Sequence, residues 1–213
     1  MKIQLIGSAM ILAGTLSACS SSSSSSTAGE EVDQFSGLFS STVAVGDVGE
    51  NITLIGVDDL PDEAELTGYL AAVVDTPENL YVGDATATAD FSAGSLIGTV
   101  DNFNGYETSA ACETETAADG CTGTIVQSFD GSVDITGTIT GTEFEFNAAG
   151  TLSGDDPVGD GAVTVNVDLD GEGTFGTIDD NLVAFGVSEG AISVNSDDGT
   201  ETIEAGGLLI LEE

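Results

Sequence analysis

The chain has 213 residues, of which 38 are acidic and one is basic, with no histidine and a formal net charge of −37. That balance excludes nucleic-acid binding through phosphate neutralisation, and the missing histidine excludes a Ser-His-Asp triad. A 40% apolar share argues for a folded chain in spite of the charge.

Residues 1–18 form a secretory signal: Lys2 is the positive end, Ile3 to Thr15 a mostly apolar run, and small residues follow. The run is too short to span a bilayer. Leu16-Ser17-Ala18-Cys19 resembles a lipobox, after which a bacterial lipoprotein is cut and its new N-terminal cysteine acylated; the rival is an ordinary signal with an incidental cysteine. Acyl chains on Cys19 would anchor the protein to a membrane without a spanning segment. Ser20 after the cysteine favours the outer membrane over inner-membrane retention. The serine tract Ser20 to Ser26, inside a 19–29 linker, has nothing to bury and is expected as a disordered tether with a reach of roughly 5–6 Å times the square root of its length.

Past Lys2 the chain has no Lys, Arg or His. Its groups for acid–base or nucleophilic work are carboxylates, hydroxyls and Tyr69, Tyr81 and Tyr106, and no carboxylate pair stands out, so no enzyme is expected. The charge suits either a solvated surface in salty surroundings or attraction of a cationic partner or divalent ions.

In residues 30–61, Val32, Phe35, Leu38 and Phe39 have helix-like spacing, and Ile52, Leu54 and Ile55 before Gly56 suggest a short extended piece. This segment is expected to lie against the wall of the following domain or to plug one end of it. From residue 62 to 213 the pattern is that of strands and turns. Glu65 to Val74 is the first strand. Ala85, Ala87 and Ala89 alternate with Thr86 and Thr88 in a second, which the Ser92-Ala93-Gly94-Ser95 turn reverses into Leu96, Ile97, Thr99 and Val100. Thr122 to Phe129 and Ser132 to Thr140 are separated by an Asp130-Gly131 turn signal. Thr142 to Leu152 puts Phe144 and Phe146 on one face. Ala162 to Phe175 alternates Val163, Val165, Val167 and Leu169 with polar residues, and Val183 to Val194 and Glu201 to Leu211 complete the series. About eight strands without a long helix imply an all-β fold, a small antiparallel eight-stranded β-barrel, because closure removes the two unpaired edges of a meander.

The Tyr81 to Phe103 hairpin, with its tyrosine-glycine entry, alanine-aspartate-phenylalanine corner and glycine-threonine second strand, resembles the β-barrel domain of bacterial surface lipoproteins typified by the transferrin-binding protein B family. Gly137-Thr138-Ile139-Thr140-Gly141 with Phe144, and Gly173-Thr174-Phe175-Gly176 continuing to Gly186, resemble later parts of that barrel. Together they span Leu66 to Leu211. The sequence departs from the family at Thr177-Ile178-Asp179-Asp180, where a proline and a glutamate-rich corner are usual, and it is too short for the family's second, handle-like domain. The resemblance implies a surface-exposed outer-membrane binding module, expected as a monomer, for a nutrient carrier, metal complex or extracellular macromolecule, with protein or small-molecule ligand open. The alternative is a structural or interaction lipoprotein of the envelope without a dedicated ligand.

Cys112 and Cys121 flank an acidic octapeptide, and in an oxidising compartment they are expected to form a disulfide; a zinc pair is the rival but would need carboxylates to complete its shell. Asp168-Leu169-Asp170-Gly171-Glu172-Gly173 alternates carboxylates into an expected glycine turn, making Asp168, Asp170 and Glu172 calcium candidates against the default of solvated carboxylates; Asn195 to Gly199 is a second acidic turn. No other cofactor is expected: phenolate ligation of haem by the tyrosines would leave the propionates without a basic partner.

Overall fold

The computed structural model describes residues 53–74, 79–108, 123–155, 161–178, 180–196 and 199–213. A two-residue strand β1, Thr53–Leu54, precedes eight long ones: β2 Glu63–Val74, β3 Asn79–Asp90, β4 Ser95–Thr108, β5 Gly123–Thr140, β6 Glu143–Asp155, β7 Ala162–Ile178, β8 Asn181–Ser196 and β9 Gly199–Glu212. Each long strand pairs antiparallel with the next, and β9 pairs with β2. The eight therefore close into the expected up-and-down barrel, and no long strand keeps a free edge.

Period-two alternation sets the wall. Ala85, Ala87 and Ala89 are buried inside, and Thr86 outside meets Thr99 across the β3–β4 pair with hydroxyls 3.4 Å apart. The hairpin turn falls between Asp90 and Ser95, with Gly94 at φ 70°. Asp90 holds it by accepting the Ala93 amide at 2.7 Å and the Ser92 hydroxyl at 2.8 Å. Those two bonds favour the charged carboxylate, so its pKa lies below the ordinary value.

The structure corrects the sequence reading in two places. The Asp130-Gly131 turn is absent: β5 runs through it, with Asp130 paired to Ser153 and Gly131 to Leu152. Gly131 takes φ 120°, and opposite it β4 shifts register between Val100 and Phe103 with Asn102 at φ 51°. The glycine thus bends and coils a continuous strand instead of reversing it. The Gly171-Gly173 turn is absent too, because β7 continues straight through. Gly171 lies opposite Phe146 and Gly173 opposite Phe144, and a Cβ on either glycine would collide with that ring. These glycines make room for phenylalanines.

The ends of the barrel differ. At the turn end, where β3–β4, β5–β6 and β7–β8 connect, Phe144 packs on Phe175 at 5.0 Å between ring centroids, Phe91 on Phe175 at 4.8 Å and Phe146 on Phe144 at 5.8 Å. β1 extends the sheet there, pairing with Gly176 and Thr177 of β7 beyond the reach of β6. Ile55 and Leu60, on either side of the 3-10 turn Val57–Asp59, pack on the core. Ile55 and Leu60 thus add apolar contacts to the core from outside the eight long strands. The rest of the 30–61 segment, the signal, Cys19, the serine tract, Cys112 and Cys121 lie outside the described residues.

Candidate ligand cavity

The opposite, mouth end of the barrel is hollow. A cavity of about 320 Å³ lies within it and reaches the strand ends from which β2–β3, β4–β5, β6–β7 and β8–β9 connect. The volume is at the lower bound for small-molecule sites and holds roughly ten water-sized groups at about 30 Å³ each. Alternation builds its wall: Val163, Val165, Val167 and Leu169 all point inward from β7, and Leu70, Ala72 and Val74 do so from β2. Phe103 and Phe129 oppose each other across β4–β5, and Tyr81 tilts against Phe129 at 5.9 Å. The four rings of Phe91, Phe144, Phe146 and Phe175 fill the turn end, whereas here Val74, Val163, Val165, Val167 and Val194 make up much of the lining and leave space between the facing walls.

Few polar groups reach it. Gln127 lines the wall, but its amide is committed to the Asp155 carbonyl at 2.8 Å. Ser196 and Glu201 stand at the rim. Burial pushes the Tyr81 phenol above its ordinary pKa. The buried Ser188 hydroxyl, which lacks a partner, sits over Gly207 in the wall rather than in the cavity lining.

The calcium candidates lie elsewhere, outward on β7, where same-face residues are roughly 7 Å apart. Asn147 on β6 bridges two of them, donating to Asp168 at 3.1 Å and Asp170 at 3.0 Å. Glu172 faces Glu145 directly. Ligands to one calcium must each come within about 2.6 Å of it, and no metal-competent cluster of three occurs among the described residues. The second acidic turn joins Ser196 to Gly199, with the Thr200 hydroxyl bonded to Asn195 at 2.6 Å, and Asp197 and Asp198 lie outside the described residues. The tyrosines do not converge: Tyr81 points inward, while Tyr69 and Tyr106 belong to an outer-wall cluster with Val82 and Ala71.

Fold and cavity define a class of protein, a closed up-and-down eight-stranded β-barrel with an apolar interior site. No protein-family model matches the chain, and neither a curated protein nor a solved structure matches it.

Proposed function

We propose that this protein is a non-enzymatic binding module, tethered to the outer membrane through Cys19, whose barrel carries a small apolar molecule. The observation that carries the reading is the 320 Å³ apolar cavity at the mouth end. Stable folding alone does not require the hollow, since filling a void recovers dispersion contacts. The lipobox-like Leu16 to Cys19 and the resemblance to the transferrin-binding protein B barrel support the address. The cavity favours a small molecule over the carriers and macromolecules that resemblance would suggest. Charge narrows the class further: with no Lys, Arg or His after Lys2, an anionic group entering the barrel would find no counter-charge and would be strongly disfavoured.

The test is titration of the mature chain with N-phenyl-1-naphthylamine, a neutral apolar dye that brightens on leaving water. One saturable site is expected, abolished by Val165→Phe, which fills the cavity, and retained by Ile97→Phe on the exposed outer wall. Absence of saturable binding, or equal binding by both variants, would refute the reading.

A further inference from the structure

Two of the few polar groups in the cavity wall are neighbours. Register places Tyr81, Gly105 and Gln127 side by side on β3, β4 and β5, and Tyr81 and Gln127 both line the cavity. Between them stands a residue with no side chain. The point that a Gly105 Cβ would occupy lies 3.1 Å from Cε1 of Tyr81, the ring carbon next to the hydroxyl-bearing one, and 3.6 Å from Cβ of Gln127. The glycine thus keeps open a slot flanked by a phenol and a carboxamide. The carboxamide is also oriented: only its NH2 can face the Asp155 carbonyl, to which Nε2 donates at 2.8 Å. Its oxygen is the end left over. Among the described residues Gln127 Oε1 accepts no hydrogen bond and the Tyr81 hydroxyl makes none. Burial, which raises the Tyr81 pKa, keeps that phenol protonated and able to donate at neutral pH. Ser196 and Glu201, the other polar lining residues, stand on β8 and β9 across the ring of strands.

We infer that the cavity selects a neutral molecule carrying a hydroxyl, whose oxygen accepts from the Tyr81 phenol and whose proton goes to Gln127 Oε1, with its hydrocarbon over Val165, Val167 and Ile192. The inference rests on the cavity being the ligand site proposed above. A hydroxyl both gives and takes a hydrogen bond at one atom, so it answers both groups of the slot at once. A plain hydrocarbon would strip water from the two groups and return nothing, and an ether or ketone would answer the phenol alone. A carboxylate would set an anionic oxygen against the carboxamide oxygen, in addition to lacking a counter-charge.

The test sets two isomers, 1-nonanol and 1-methoxyoctane, in competition with N-phenyl-1-naphthylamine bound to the full mature chain. They contain the same atoms, one oxygen each, and differ in the hydroxyl proton. The unaltered chain should hold the alcohol about three- to tenfold more tightly, the ratio that one net hydrogen bond ordinarily supplies. Gln127→Met should bring the ratio near one while leaving the ether's affinity nearly unchanged. Tyr81→Phe should weaken both isomers by a similar factor and leave the ratio standing, because the phenol donates to either oxygen. A ratio that Gln127→Met does not alter, as when a merely structural role weakens both isomers alike, would overturn the inference, and so would a Tyr81→Phe variant that binds both as tightly as before. The dye's own saturation reads the cavity separately: its absence in the unaltered chain would overturn the cavity reading and this inference with it, whereas saturable dye without the isomer pattern would overturn this inference alone.

Discussion

Phe146 and Gly171 face each other across β6 and β7, and the ring of the first occupies the space where the second would carry a side chain. Gly171→Val should therefore cost about 1–3 kcal/mol through overpacking, seen as a melting point several degrees lower. Gly206→Ala is the control: its nearest non-neighbour atom, the Ser188 carbonyl oxygen, is 4.0 Å from the added carbon. That change should be near neutral or slightly stabilising by restricting the unfolded chain.

The same pair shows how far the sequence could be followed. The long strands were legible because inward and outward residues alternate, although β5 was split in two at Asp130-Gly131, and closure followed from the cost of free edges. The Gly171 and Asp130-Gly131 turns were misread because a glycine that admits a ring, or bends a strand, has the same local chemistry as one that reverses the chain. The cavity was not legible, since Val163, Val165 and Val167 alternate alike around a full or a hollow interior; what differs is which side chains meet across the barrel. Another feature did leave a signal: alternation breaks at Val82 and at Leu209-Ile210-Leu211, where residues of both parities are buried.

Ligand selection should follow head-group charge. Against the bound dye at low ionic strength and below micelle-forming concentrations, decanol and decyltrimethylammonium should compete at least tenfold better than decanoate. Raising salt should narrow the gap by screening. Equal competition by decanoate would show that the cavity binds without regard to charge, and Glu201→Gln would then be the variant to compare.

The Tyr81 phenol should titrate above the ordinary tyrosine range because burial disfavours its anion. A pKa raised on folding adds stability that is present below about pH 10 and is lost as pH rises through the higher folded value. Absorbance at 295 nm should show a late phenol that disappears in Tyr81→Phe. A ligand filling the cavity should delay that phenol further, and a titration unaffected by saturating dye would place the dye elsewhere.

The last prediction concerns salt. The register sets like charges directly opposite one another at Glu145 and Glu172, Asp170 and Glu189, and Asp84 and Asp101, an unfavourable arrangement for cross-strand pairs. No cationic side chain after Lys2 offsets them. The screening length is about 8 Å at 0.15 M ionic strength and about 3 Å at 1 M, so the melting temperature should rise steeply over that interval. Acidification from pH 7 toward the carboxylate range should at first stabilise by lowering the net charge. Asp90 opposes this trend only at the acid extreme: its lowered pKa supplies stability present above the ordinary value of about 3.9 and lost as pH falls through the folded one. Sodium chloride at matched ionic strength should do nearly as well as millimolar calcium, since Asp168, Asp170 and Glu172 form no metal-competent cluster among the described residues. A saturable gain from calcium alone, removed by replacing those three residues, would show that the strand yields to an ion, and a melting point indifferent to both salts would show that repulsion does not limit this barrel.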